Sequence, residues 1–440
     1  MKYLTDIQSV PNDPARLESL YQAAVKEGRA VEFRADMMEC HIADPANLLY
    51  AAWYYRFQQA PAEVTAEAPE RRINWSLALP LSALTGLILW LLSDPGLELN
   101  FNGGGLLSTI TILAAPVVAG MVILFLALTG KRNYRRPALT VASLALVTAY
   151  AVLMAQRGSY SYTALLIPHL AALSLAAVGI TLTGVVSASN TRFAFLAKVI
   201  EVAVTGGVYL MGVLIFAGIT YTLFGALQVQ LSDRVQLLLF LGGGGLIPVI
   251  AVASAYDPST SPVEQDFTHG LSKMVAILPR LLLPLTLVVL VIYIFAIPFY
   301  FMEPFKNREV LIIYNVMLFA VMGLLVGATP VRPKDLSPRV QSLLRGGILA
   351  VTVLVILVSL YALSATVYRT VNDVLTVNRL TIIGWNIVNI VILVLLVYKQ
   401  LRHGRKAWVD SLYATFNYAC VAYTAWALFL VLALPWLFRT

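Results

Sequence analysis

Apolar residues fill the chain from Trp75 onward, in eleven stretches that are each about as long as a bilayer is thick. A helix needs about 20 apolar residues to cross a hydrocarbon core of about 30 Å. The pattern therefore predicts eleven membrane-spanning helices. Their predicted limits are 75–93, 106–129, 137–155, 162–187, 193–225, 236–253, 274–300, 309–329, 340–366, 380–399 and 412–437.

Composition agrees with this pattern. The chain is 59% hydrophobic and 12% charged, and its mean hydropathy is +0.78. A soluble domain of 440 residues would lack the polar surface to cover such a core. We therefore predict an all-α polytopic integral membrane protein. Its N-terminus has no apolar signal core, so we expect the first span to direct the chain to the bilayer.

The first 60 residues differ from the rest and predict a small helical module. Asp13 and Pro14 form a helix start, and apolar residues then recur at helical spacing as far as Gly28. Two further helices are predicted at 30–41 and 46–60, the second ending before Pro61. The predicted organisation is a cytoplasmic helical module over 1–60, a linker over 61–73 and a transmembrane domain over 74–440. The module is expected to dock on the membrane domain or on a protein partner.

Basic residues alternate between the two sets of loops and predict the topology. One set carries 17 Lys and Arg residues and the other carries 7. Lys and Arg collect in cytoplasmic loops, so the N-terminus is expected inside and the C-terminus outside. The net charge of +8 is interpreted as this topology signal, and no nucleic-acid partner is expected.

Sequence signatures of catalysis are absent. The chain has no nucleophile elbow, HExxH, Walker A or CxxC motif. It has four histidines and two cysteines. Cys40 lies in a predicted helix of the N-terminal module, and Cys420 lies in the last predicted span. We expect no metal site and no cofactor, and we expect a protein that is not an enzyme.

Two charges lie within predicted spans at matching depth. Glu201 in the fifth span and Arg280 in the seventh both lie roughly 10–12 Å from the predicted cytoplasmic side. They are candidates for a buried interhelical pair, since a lone charge is costly in hydrocarbon. In the alternative interpretation, Arg280 extends to the headgroups and Glu201 pairs with Lys198, three residues before it.

Polar residues also occupy the predicted outer half of the bundle. His169 lies in the fourth span, Asn315 in the eighth, and Asn386 and Asn389 in the tenth. They are candidates for a polar layer that lines a path. The alternative is a set of interhelical hydrogen bonds with a structural role.

The sixth span contains Gly242, Gly243, Gly244 and Gly245, followed by Pro248. Such a run weakens a helix, and broken helices line substrate paths in many transporters. The run is therefore a candidate helix break. The alternative is close helix packing through small residues. The polar segment 254–273 that follows this span is either a gate or docking loop or a plain connection.

Two stretches resemble a known family. Residues 278–301 form a proline-flanked, Leu-rich span with an interior tyrosine, and residues 373–396 carry Leu-Thr-Val-Asn-Arg before a span with a tryptophan. Together they resemble the bacterial multi-span membrane proteins grouped as domain of unknown function 4153, over about residues 75–437. The resemblance implies a protein of the bacterial cytoplasmic membrane and supplies no activity.

Three functional hypotheses remain open. The first is transport or permeation of a small solute or ion, based on the glycine run and the buried polar residues. The second is a non-catalytic scaffold or signalling subunit that docks a partner through residues 1–60. The third is an intramembrane enzyme acting on lipid-linked substrates. The sequence does not determine an oligomeric state.

Overall fold

The computed structural model describes residues 3–26, 29–59, 73–94, 109–130, 134–267, 270–403 and 406–438. All regular secondary structure in these ranges is helical. The chain packs as two compact units, Met1–Ile73 and Asn74–Thr440. Their border coincides with the predicted end of the linker, of which residues 61–72 lie outside the described residues.

The described residues of the N-terminal unit form four helices, α1 (Leu4–Gln8), α2 (Pro14–Lys26), α3 (Ala30–Ala43) and α4 (Leu48–Gln59). Pro14 begins α2 as predicted, and the Asp13 carboxylate accepts a hydrogen bond from the Arg16 backbone N–H at 3.0 Å. Helix α1 was not predicted, because five residues are too few to show a helical period.

Aromatic rings form the core of this unit. Phe33 is fully buried, and its ring centroid lies 5.5 Å from that of Tyr21 and 6.0 Å from that of Trp53. At the surface, Arg56 donates a hydrogen bond of 2.6 Å to Glu18. This hydrogen bond holds the pKa of the Glu18 carboxyl below its ordinary value, with a smaller contribution from Gln22.

The membrane domain confirms the predicted fold class. The described residues include eleven helices that are long and apolar enough to cross a bilayer. They are α5 (Trp75–Leu92), α6 (Thr109–Thr129), α7 (Arg135–Arg157), α8 (Tyr160–Thr183), α9 (Ser189–Ala226), α10 (Asp233–Leu237) continued by α11 (Gly243–Ala255), α12 (Gly270–Ala296), α14 (Arg308–Ala328), α15 (Pro338–Asn372), α16 (Val377–Arg402) and α17 (Trp408–Leu437). The short helix α13 (Glu303–Lys306) lies between α12 and α14.

Side-chain caps fix where several spans begin. Thr376 is the N-cap of α16, and its hydroxyl accepts a hydrogen bond of 3.3 Å from the Arg379 backbone N–H. The Arg379 guanidinium in turn pairs with Asp373 at 2.6 Å. The cap satisfies one of the backbone N–H groups that the start of an α-helix leaves free.

Helices α16 and α17 join the two largest apolar clusters of the membrane domain. In one cluster, Leu393 and Leu412 pack with side chains from α9, α12, α14 and α15. In the other, Leu430 packs with side chains from α6, α7 and α8. The two C-terminal spans therefore connect the two groups of helices.

Helix α9 is much longer than a bilayer requires. Its 38 residues give a length of about 57 Å at 1.5 Å per residue. Its N-terminal half contributes buried residues such as Phe193 and Glu201. In its C-terminal half the apolar side chains Phe216 and Leu223 are 65% and 61% exposed.

Candidate functional site

The predicted break in the sixth span is not there. Helix α10 passes through a π-helical segment, Leu238–Gly242, into α11, and the glycines keep helical backbone angles. A Cβ on Gly245 would lie 2.7 Å from the Cα of Gly86 on α5. Because glycine has no side chain, the backbones of α5 and α11 can approach each other closely here. Pro248 lies inside the continuous helix α11.

The proposed pairing of Glu201 with Arg280 is also wrong. Glu201 accepts a hydrogen bond of 2.7 Å from the ammonium group of Lys198, the partner of the alternative interpretation. Arg280 has no ion pair with Glu201, although both residues are described, and its Nε is buried without a hydrogen-bond partner. Equal depth in the bundle did not place the two side chains on facing helix surfaces.

Lys198 and Glu201 form the centre of a buried cluster at one end of the bundle. Their side chains are 3% and 8% exposed. The Ser272 hydroxyl on α12 donates to Glu201 at 2.6 Å, and Lys198 Nζ donates to the Asp266 carbonyl at 2.5 Å. Lys198 Nζ also lies 4.8 Å from the centroid of the Phe267 ring. The cluster therefore connects α9, α12 and the loop that precedes α12.

That loop, residues 256–267, is held in shape by Gln265, which is 2% exposed. The Gln265 amide donates to the Asp257 carbonyl at 2.7 Å and to the Thr260 hydroxyl at 2.8 Å, and its oxygen accepts from the Asp257 N–H. Burial raises the pKa of the adjacent Tyr256 above its ordinary value, and the nearby Asp257 adds to this effect. These hydrogen bonds give the described part of the segment a defined fold.

Beside the cluster lies an apolar cavity of about 270 Å³ between α6, α8, α9 and α11. Lys198 is on its wall, and Val202 and Pro248 contribute apolar surface. The Ser174 hydroxyl, also on the wall, is buried without a hydrogen-bond partner. Lys198 thus belongs both to the charged cluster and to the cavity.

A second, more polar pocket of about 340 Å³ adjoins this cavity where the helices end. Leu126, Leu182 and Tyr256 border both spaces. The polar pocket is formed by Arg136 at the start of α7, by hydroxyls of α8 and α9, and by the 256–267 loop. An apolar space and a polar space therefore meet at one point of the bundle.

The predicted polar layer is present in the other part of the bundle. The Asn386 amide donates to the Asn315 side-chain oxygen at 3.0 Å and to the Ile382 carbonyl at 3.0 Å. The Asn315 amide donates to the Leu311 carbonyl at 2.7 Å. These bonds link α14 to α16 and satisfy both amide groups.

His169 is brought to the same layer by a residue that sequence reasoning missed. Trp385 Nε1 donates to His169 Nε2 at 2.9 Å, and His169 Nδ1 contacts the Leu165 carbonyl. An indole N–H is only a donor, so Nε2 accepts and Nδ1 carries the proton. His169 is therefore a neutral, fully bonded side chain that joins α8 to α16.

Asn389 completes the layer and is itself fully buried. Its amide donates to the Trp385 carbonyl at 2.9 Å, and its oxygen accepts from the Tyr423 hydroxyl on α17. The Trp385 and Tyr423 rings meet edge to face at 5.2 Å. The spacing of Trp385 and Asn389, one helical turn apart, was the signal available in the sequence.

No family model, curated protein or solved structure matches this chain. The resemblance to the domain of unknown function 4153 family therefore stays a prediction.

Chemically, the two polar regions differ. In the His169 layer the hydrogen-bonding groups satisfy one another and connect helices. The Lys198 cluster borders the apolar cavity and holds a loop, so a change in its bonds can alter the shape of both. Among the described residues, no group of three or more His, Cys, Asp or Glu side chains could hold a metal ion. The Lys198 cluster is the better candidate for a functional site.

Proposed function

We propose that this membrane protein transports an amphipathic lipid, whose apolar part binds in the cavity beside Lys198. One observation carries the proposal: a single buried side chain both lines the cavity and holds the loop that forms the adjoining polar pocket. The proposal assigns no catalytic step to the chain. It places the protein in the bacterial cytoplasmic membrane, with its N-terminus inside, as the loop charges and the family resemblance predict.

The energetics of buried charge support a functional role for this cluster. A charge within a span costs about 2.5–3.5 kcal/mol on insertion scales, and such residues are functional candidates by default. Lys198 and Glu201 share this cost in a pair, and the bond from Lys198 to Asp266 keeps the loop in place. Breaking that bond would weaken the attachment of the loop to α9 without separating the spans. We infer that this bond controls access to the cavity.

The other candidate path has less support. The glycines of the sixth span pack against Gly86, and the side chains around His169 bond to one another. We therefore assign both features to the architecture of the bundle.

The test is lipid-probe movement in proteoliposomes. The probes are NBD-labelled phosphatidylglycerol and phosphatidylcholine, and dithionite added outside bleaches only the outer leaflet. Protein-mediated movement appears as bleaching beyond the outer-leaflet fraction. Val202→Trp fills the cavity and should abolish movement. Val208→Trp, on the same helix but 60% exposed, should preserve it. If wild-type protein moves neither probe, or if both variants behave alike, the proposal fails.

A second candidate function is a scaffold or signalling subunit that docks a protein through the N-terminal module. It is favoured because the module is a compact unit with its own core and because it exposes Val31, Ile42 and Leu48 by 69%, 75% and 87%. Leu48→Asp should remove a partner that wild-type protein captures from native membranes after crosslinking. An unchanged set of captured proteins would count against this function.

A further inference from the structure

We propose that the membrane domain holds one anionic phospholipid, with an acyl chain in the Lys198 cavity and the phosphate in the adjoining polar pocket. This inference rests on the proposed function, because it assumes that the cavity binds the transported molecule, and it names the chemical class of that molecule. Three properties of the paired spaces support it: their adjacency, the length of the apolar space and the charge of the polar space.

The two spaces form one amphipathic site. Leu126, Leu182 and Tyr256 belong to the walls of both, so the two spaces adjoin, and we infer that a single molecule extends from one into the other. The apolar cavity is lined almost wholly by aliphatic and aromatic side chains. Lys198 is also on its wall, but its ammonium group donates to Glu201 and to the Asp266 carbonyl. An occupant must therefore be apolar at one end and polar at the other.

The length of the apolar space matches one leaflet. Its wall runs from Leu126 to Ala115 on α6 and from Leu182 to Ala171 on α8, eleven residues in each case. Eleven residues of helix rise about 16 Å. Half of a hydrocarbon core of about 30 Å is about 15 Å. The cavity therefore has the depth that an acyl chain occupies in a single leaflet.

The polar space favours a negative headgroup. Arg136 is the charged residue on its wall, and no described carboxylate forms an ion pair with it. The remaining wall includes the hydroxyl-bearing residues Thr181, Thr191, Ser259, Thr260 and Ser261.

Two acidic residues of the loop, Asp257 and Glu264, form hydrogen bonds within the loop. Asp257 accepts hydrogen bonds from Ser259, and Glu264 accepts one from the Ser261 N–H. Neither carboxylate is on the pocket wall. Guanidinium groups bind phosphate through charge-assisted hydrogen bonds, so the site fits an anionic phospholipid better than a zwitterionic one.

The experiment measures binding alone and does not depend on movement. Purified full-length protein in neutral detergent is titrated with phosphatidylglycerol, phosphatidylcholine or inorganic phosphate. Bound lipid is counted by native mass spectrometry, and the melting temperature is followed in parallel. We expect one phosphatidylglycerol per chain with a rise in melting temperature, weaker binding of phosphatidylcholine, and no effect of phosphate.

Two variants locate the site. Arg136→Gln should weaken phosphatidylglycerol binding roughly tenfold or more, the loss expected for one charge-assisted hydrogen bond. The neighbouring Arg135→Gln, whose side chain does not line the pocket, should bind as wild type. Val202→Trp should lose both lipids. Equal binding of the two lipids, equal behaviour of the two arginine variants, or the same stabilisation by phosphate alone would overturn the inference.

Binding and transport can fail separately. If phosphatidylglycerol binds as expected but no probe moves in proteoliposomes, the proposed transport fails and the lipid site stands. If a probe moves but phosphatidylglycerol shows no preference and no dependence on Arg136, the lipid site fails and transport stands.

Discussion

Replacing Lys198 with methionine should destabilise the membrane domain more than a typical substitution. Methionine has a similar length but no charge, so Glu201 would be left buried without its cationic partner. The change removes a hydrogen bond of 2.7 Å to that carboxylate and one of 2.5 Å to the Asp266 carbonyl. Replacing Glu201 with leucine should have a comparable effect, because it removes the carboxylate that accepts a hydrogen bond from the buried Lys198 ammonium.

The expected magnitudes come from the burial of the pair. Both side chains are less than a tenth exposed, and removing one partner of a buried ion pair costs about 3–5 kcal/mol. Replacing both partners with apolar residues is often nearly neutral. The double variant also leaves the Ser272 hydroxyl and the Asp266 carbonyl without these partners, so we expect it to cost about 2 kcal/mol. The resulting coupling energy should exceed about 2 kcal/mol.

The assay is a double-mutant cycle on the free energy of unfolding, measured by titrating detergent-solubilised protein with sodium dodecyl sulfate. A matched control cycle pairs Glu201→Leu with Arg280→Gln, and it should show effects that add without coupling. Additive effects for Lys198 and Glu201 would refute the buried-pair reasoning. Coupling between Glu201 and Arg280 of similar size would show that the interhelical pair exists after all.

Three further predictions concern other parts of the molecule. Gly245→Ala should lower the melting temperature because its Cβ would meet the α5 backbone at 2.7 Å, whereas Gly244→Ala, with no atom within 4 Å of its Cβ, should leave it unchanged or raise it. Tyr423→Phe leaves the buried Asn389 oxygen without this donor and should cost about 1–3 kcal/mol in detergent unfolding; a cost near zero would remove the bond from the account. In the N-terminal module, the pKa of Glu18 is lowered on folding, so its contribution to stability is present above its ordinary value of 4.5 and is lost as pH falls through the lowered value. Hydrogen exchange of α2 peptides, corrected for intrinsic rates, should show this loss in wild type and not in Glu18→Gln.

The spans could be predicted because a bilayer leaves the backbone few options. Within hydrocarbon, helices satisfy their own peptide groups, so each apolar stretch long enough to cross became a helix. The cap formed by Thr376 and the ion pair formed by Asp373 involve residues close in the chain, so the sequence contains the information for both. The same holds for the bond between Lys198 and Glu201, which are three residues apart.

Features that depend on which helices face each other were harder to predict. Arg280 and Glu201 matched in depth, but depth is one coordinate, and the orientation of each helix about its axis decides whether side chains meet. The glycines of the sixth span were compatible with a break or with close packing, and only the position of Gly86 on α5 decides between them. Asn315 and Asn386 matched in depth and do meet.

The cavity had no signature in the sequence at all. Its wall is built from four helices, and residues such as Ala115 and Val202 are ordinary for any membrane span. Only Lys198 distinguishes this region, and its role depends on a loop carbonyl about seventy residues further along the chain.

The length of α9 has a consequence for the lipid around the protein. Even at a tilt of about 40°, near the upper end for membrane helices, a helix of about 57 Å extends about 44 Å across the bilayer. That distance equals the full bilayer with its headgroups and is well beyond the hydrocarbon core of about 30 Å. In a bilayer of ordinary thickness, exposed apolar side chains near the end of α9, among them Leu223, would lie in the headgroup layer. We therefore expect α9 to expose apolar surface beyond a hydrocarbon core of ordinary thickness, and we expect the lipid beside it to adjust to this mismatch.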